Sequence, residues 1–149
     1  MDAHILPESV PGKPIVVATF LGSDMELPGV LFNCHVDVVP ALTEHWTVPA
    51  FEGLVQDGKV YGRGAQDMKC VCVQYLVAIK KLRRSGYFPK RTMFFTFVPD
   101  EEIGGVHGMN VLIDSQWFND LNIGLAFDEG LANEASDTYS VFYGERLPW

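Results

Sequence analysis

Apolar positions along this chain fall into short β-branched or aromatic runs separated by turn residues, with one longer stretch at helical spacing. The runs IVVATF (Ile15–Phe20) and GVLFNCH (Gly29–His35) predict buried strands. Asp57-Gly58, between residues 53–56 and 59–61, predicts a hairpin, because this dipeptide tolerates the positive φ of a tight turn. Over residues 67–85, Met68, Val71, Cys72, Tyr75, Leu76, Ile79 and Leu82 form one apolar stripe, the clearest helix. Basic residues fill its last turns and Gly86 follows, while Asp67 stands at the end where a carboxylate faces free N–H groups. Residues 92–98 (TMFFTFV) predict a third strand, Gly104-Gly105 opens a helix to about Ile113, and residues 123–127 and 139–143 predict two more strands. Residues 1–14, with Pro7, Pro11, Gly12 and Pro14, read as an irregular lead-in to one domain over residues 15–149. Strands alternating with helices predict an α/β sandwich around a mixed, mostly parallel sheet.

Composition narrows the class. A chain of 149 residues that is 48% hydrophobic can build one domain with a core. A net charge of −8 argues against nucleic acid as the main partner; the basic cluster over residues 80–84 reads as a solvated helix end. The three cysteines, Cys34, Cys70 and Cys72, form no CxxC and no disulfide framework, which predicts a reducing, cytoplasmic setting. No apolar run approaches the ~20 residues that span a bilayer, and no basic-then-apolar leader opens the chain, so no membrane partner is expected.

The candidate chemistry lies at the ends of these elements. His35 and Asp37 close one strand, two residues apart and so on one face. Asp67 opens the helix, Glu101-Glu102 follow the strand 92–98, and Asp128-Glu129 follow the strand 123–127. Ligands in open α/β sheets bind beyond the carboxyl ends of strands. Carboxylates gathered there repel one another unless a cation neutralises them, and one His with several carboxylates suits zinc or a similar divalent ion. Each signal alone has a plainer reading: His-x-Asp as a hydrogen-bonded pair, Asp67 as a helix cap, the acidic pairs as solvated turns. Their shared position at one end of the core elements is what points to a metal.

The strings HVDVVP, GRGAQDMK, FVPDEEIGG and FDEG resemble the metal-binding domain of the M20 family of zinc amidohydrolases and exopeptidases, over residues 15–149. The resemblance implies a zinc-exopeptidase-like sandwich, present in part, that holds two zinc ions per complete site. It implies that His35 and Glu129 bind the first zinc, Glu102 the second, and that Asp67 bridges them. Glu101 is the implied general base, Asp37 the carboxylate that orients the His35 imidazole, and Asp67-Met68 an implied cis peptide. The implied activity is hydrolysis of N-acyl-L-amino acids to a carboxylate and an L-amino acid, by a protein that is a homodimer at full length. Metallocarboxypeptidase, dipeptidase or acetylornithine-type deacetylase activity on the same scaffold is the alternative, and a non-catalytic metal-binding fragment a second. The family's late His ligand has no counterpart after His107, and its dimerisation domain and N-terminal segment are missing, so this chain alone is expected to be a weak hydrolase. His107 is expected to be structural and Cys34 a core residue; Arg146 meets either a substrate carboxylate or a surface partner.

Overall fold

A computed structural model describes residues 2–6, 10–130, 133, 135–141 and 144. Its main sheet holds β1 (Asp2–Leu6), β2 (Ile15–Phe20), β3 (Gly29–His35), β6 (Met93–Val98) and β7 (Ile123–Phe127) in the order β1-β2-β6-β3-β7. β1–β2 and β2–β6 pair antiparallel, while β3 pairs parallel with both β6 and β7. The sheet is mixed, as expected, and its parallel half decides the rest. β6, β3 and β7 end at one edge, where the next residues are Pro99, Val36 and Asp128.

Helices pack on both faces of the central strands. Alternation along β2 sends Ile15 and Val17 to one side, where they pack with Leu6, Val98 and Leu112. Leu112 belongs to α2 (Met109–Ile113), and α3 (Gln116–Asn119) adds Trp117 and Phe118. Ala18 and Phe20 face the other side, against Phe95 and against Ile79 of α1 (Cys70–Arg84). β4 (Leu54–Gln56) and β5 (Lys59–Tyr61) form the expected hairpin, with Asp57 and Gly58 both at positive φ.

Phe95, Phe32 and Phe127 occupy matching positions on β6, β3 and β7. Their rings stack at 5.0 and 5.5 Å, and Tyr75 of α1 meets Phe32 edge-on at 5.3 Å. This ladder joins the parallel strands to the helix. Phe95→Ala removes its most buried ring and is expected to cost about 3–5 kcal/mol. In thermal unfolding this reads as a fall of roughly 8–15 °C; a shift of roughly a degree would show that the ladder carries no stability.

Several expected elements take different forms. The lead-in contains β1, which pairs with β2 residue for residue. Only Leu6 of β1 is buried, so no apolar run announces it; the free edge of β2 makes the strand. The helix expected over residues 67–85 begins at Cys70, because Asp67 and Met68 have non-helical backbone angles and their peptide is cis. Asp67 is therefore no helix cap. Leu76, assigned to the buried stripe, stays about half exposed. The helix expected from Gly104 starts at Met109, because Gly104 and Gly105 lie at positive φ. Residues 139–141 form no strand and Tyr139 is 94% exposed; residues 142 and 143 lie outside the described residues, as does Arg146.

Candidate metal centre

The centre of the site is a buried imidazole. His35, the last residue of β3, is 1% exposed. Its Nδ1 lies 3.1 Å from the backbone carbonyl of Asp37. A carbonyl only accepts, so in the neutral ring Nδ1 carries the proton and Nε2 is left with its lone pair. Around Nε2 stand Asp67 Oδ1 at 3.0 Å, Glu129 Oε1 at 3.5 Å and Glu101 Oε2 at 3.8 Å.

Each carboxylate arrives on its own element. Glu129 follows β7, and Glu101 and Glu102 form a tight turn after β6. Asp67 sits in the irregular turn before α1, which is pinned by Lys69 donating to the Val36 carbonyl at 2.6 Å. Gly64 opens that turn at φ +82°, and a Cβ there would meet Val38 Cγ1 at 2.3 Å, so close packing against the end of β3 admits only glycine.

Two groups of potential ligands result: His35, Asp67 and Glu129, and His35, Glu101 and Glu102. The first is the set expected for one zinc. Among the described residues, the expected second set of Asp67 with Glu102 does not assemble as a group of three; Glu102 instead groups with His35 and Glu101. Asp37 lies beside the imidazole and also holds the acidic turn. Its carboxylate lies 3.5 Å from His35 Nδ1, while Oδ1 and Oδ2 accept from the backbone N–H groups of Glu101 and Glu102, each at 3.1 Å. Asp37 thus ties the acidic turn to the end of β3, and its main-chain oxygen meets the imidazole.

Asp128 is in neither group. It accepts from Asn33 Nδ2 at 3.1 and 3.2 Å, and Asn33 Oδ1 accepts from Thr96 Oγ1 at 2.7 Å. This relay, buried at Thr96 and Asn33, runs from β6 through β3 to the residue just past β7 and anchors the position before Glu129. Asn33 and Thr96 carry a signal of their own in the sequence, a polar residue in the interior of each of the apolar runs GVLFNCH and TMFFTFV. Cys34 is fully buried beside Met68 and Cys72, as expected of a core residue, and burial first, then Cys72, pushes its thiol pKa up.

The electrostatics call for a cation. Burial pushes the Glu129 carboxyl up to about 7, the Asp67 hydrogen bond and charge add to this, and His35 opposes it. Burial also raises Glu101, where Glu102, Asp37 and Asp67 add and His35 again opposes. Burial works to lower the His35 pKa, but Asp67, Glu129, Glu101 and Asp37 together outweigh it and raise it. Without metal, these groups share protons. A divalent ion must displace those on Glu129 and His35, so zinc affinity is expected to rise with pH through about 7, where the Glu129 carboxyl titrates. Titration calorimetry in two buffers of different ionisation enthalpy should show protons released on zinc binding at about pH 6.5, fewer as the pH rises past about 7. No release would count against these ligands.

Beside the site, a cleft of about 420 Å³ runs along Asp67 and Glu129, lined also by Gln66, Val71, Gln74 and Asn133. Among the described residues, no helix is long and apolar enough to cross a membrane.

With this geometry in view, the likenesses to known proteins are specific. Residues 31–141 match the model of peptidase family M20/M25/M40, and the chain belongs to that family. It is 49% identical over 143 residues to aminoacylase-1 of Sus scrofa, a match covering 95% of this chain and 35% of that protein. An M20 family metallo-carboxypeptidase from Sulfolobus solfataricus superimposes with a TM-score of 0.71 at 26% identity, covering 85% of this chain and 28% of that one. Human carnosine dipeptidase 1 gives 0.67 at 25% identity, covering 85% and 29%. The chain thus spans about a third of the length of the curated relatives it matches.

Proposed function

We propose that these residues belong to a zinc-dependent amidohydrolase that splits N-acyl-L-amino acids into a carboxylate and an L-amino acid. The convergence of Asp67, Glu101 and Glu129 on His35 Nε2 carries this reading. The donor chemistry fits zinc: a buried imidazole with a free lone pair, facing carboxylates that hold protons when no cation is near. His35, Asp67 and Glu129 would hold one ion, and Asp67 with Glu102 would contribute to a second. Zinc held by these residues would supply polarisation of an amide carbonyl and a water acidic enough to attack near neutral pH.

The chain's own groups account for proton traffic and placement. Glu101 is the base that takes a proton from the attacking water and returns it to the leaving nitrogen. Its raised pKa suits both halves of that task. Asp37 holds Glu101 and Glu102 through their backbone N–H groups, so the base and its neighbouring ligand move as one unit. The cleft beside Asp67 and Glu129 is of a size for a small acylated amino acid. A homodimer and a cytoplasmic setting are part of the same reading, the latter in keeping with three free thiols.

The test uses a protein carrying these residues within the relatives' full length. Zinc-dependent hydrolysis of N-acetyl-L-methionine, well above that of dipeptides and N-acetylornithine, is expected. The two peptidase structures that share the fold keep a second reading in play, cleavage of unblocked peptides. A preference for dipeptides would establish that reading, and indifference to chelators would sink both.

A further inference from the structure

The turn bearing Glu101 and Glu102 is held from two directions. Asp37 holds it from the site, through the two backbone N–H groups. The other hold comes from Asp100, the residue just before the pair. Asp100 belongs to neither ligand group, and its side chain is buried. It stands at φ +66°, a left-handed conformation that most residues with a Cβ avoid and that Asp and Asn adopt more readily. Its carbonyl closes the turn, accepting from the N–H groups of Gly105 at 2.6 Å and Ile103 at 3.3 Å.

A carboxylate so enclosed needs a counter-charge. Lys13 supplies it from the loop between β1 and β2, with Nζ 2.7 Å from both Asp100 oxygens. We infer that Lys13 and Asp100 are positioning residues whose ion pair fixes the left-handed turn that aims Glu101 and Glu102 at the metal site. Neither touches metal or substrate. This rests on the function proposed above, with Glu101 as base and Glu102 as ligand. Without the ammonium, the carboxylate is left enclosed with no counter-charge, and the turn that follows loses its fixed direction. β1 and its loop, an irregular lead-in on sequence grounds, thereby become part of what aligns the site.

Lys13→Met keeps the aliphatic stem and removes the charge. It is expected to weaken zinc binding about tenfold in chelator competition, as loss of a support behind a ligand does. In the full-length protein kcat should fall at least about tenfold, as misplacement of a reacting group does, with KM within about twofold. Lys13→Arg should restore both to within about threefold. Lys13→Met combined with Asp100→Asn should also recover much of the loss, since Asn is uncharged and tolerates the left-handed region. All are measured well below the melting temperature of each variant. Unchanged zinc affinity and kcat in Lys13→Met, or a loss that Arg does not repair, would overturn the inference while leaving the functional reading intact. A wild-type protein that neither binds zinc nor cleaves N-acyl substrates would overturn that reading first and the inference with it.

Discussion

His35→Ala is expected to lower zinc affinity by at least about 100-fold. His35 is the residue shared by both groups of potential ligands, so a single substitution depletes both. Losing a support behind a ligand already costs about 10–100-fold in affinity, and losing the ligand itself should reach or exceed the upper end. The remaining donors are carboxylates with substantial solvent contact: the Asp67 side chain is 60% exposed and that of Glu101 49%. Such a set resembles a loose calcium or magnesium site more than a zinc site. The variant should therefore also discriminate less between zinc and calcium. Competition with a chromophoric chelator measures both effects. Zinc affinity equal to that of the wild type would place the metal away from His35.

The sequence carried more of the site than of its supports. Apolar runs bounded by turn residues mark β2, β3, β6 and β7, and acidic residues just past three of those ends are enough to predict that these acids gather at one edge. That inference works because parallel strands deliver their carboxyl ends to one edge whatever the loops do. The partners of each acid were not legible in the same way. Asp37 reads as the companion of His35, two residues away on one face. Its carboxylate lies 3.5 Å from His35 Nδ1 and also spans the N–H groups of Glu101 and Glu102, which are brought there by the parallel pairing of β3 with β6. Lys13 looks like an ordinary basic residue among prolines until β1 pairs with β2 and the intervening loop reaches Asp100.

The start of the long helix failed for a related reason. The apolar spacing runs without a break from Met68, because Met68 is buried against Cys34 and Cys72 although it lies outside the helix. Periodicity records which side chains reach the core and not which backbone delivers them. Asp67 can reach His35 Nε2 because the chain there is extended; a helical first turn would have left its carboxylate to the backbone N–H groups.

Glu101→Gln separates metal binding from chemistry. Gln is nearly isosteric with Glu and keeps a carbonyl oxygen, so it can lie in the same place beside His35, but it cannot accept and return a proton near neutral pH. The group that forms the expected first zinc site, His35 with Asp67 and Glu129, does not include Glu101. Zinc affinity at that site should therefore stay within about threefold of wild type. Removing the neighbouring charge also relieves part of the repulsion on Glu129, whose raised pKa includes a contribution from Glu101. Its titration should move downward, toward the ordinary carboxylate range. Hydrolysis of an N-acyl substrate by the full-length protein should fall by about 10²–10⁴, the range ascribed to a positioned general base. Because the substrate cleft flanks Asp67 and Glu129, KM should change much less than kcat. Zinc content and steady-state kinetics on the same preparation decide the matter. A zinc-replete variant with wild-type turnover would remove Glu101 from the proton path, and a variant that loses zinc along with activity would make it a ligand.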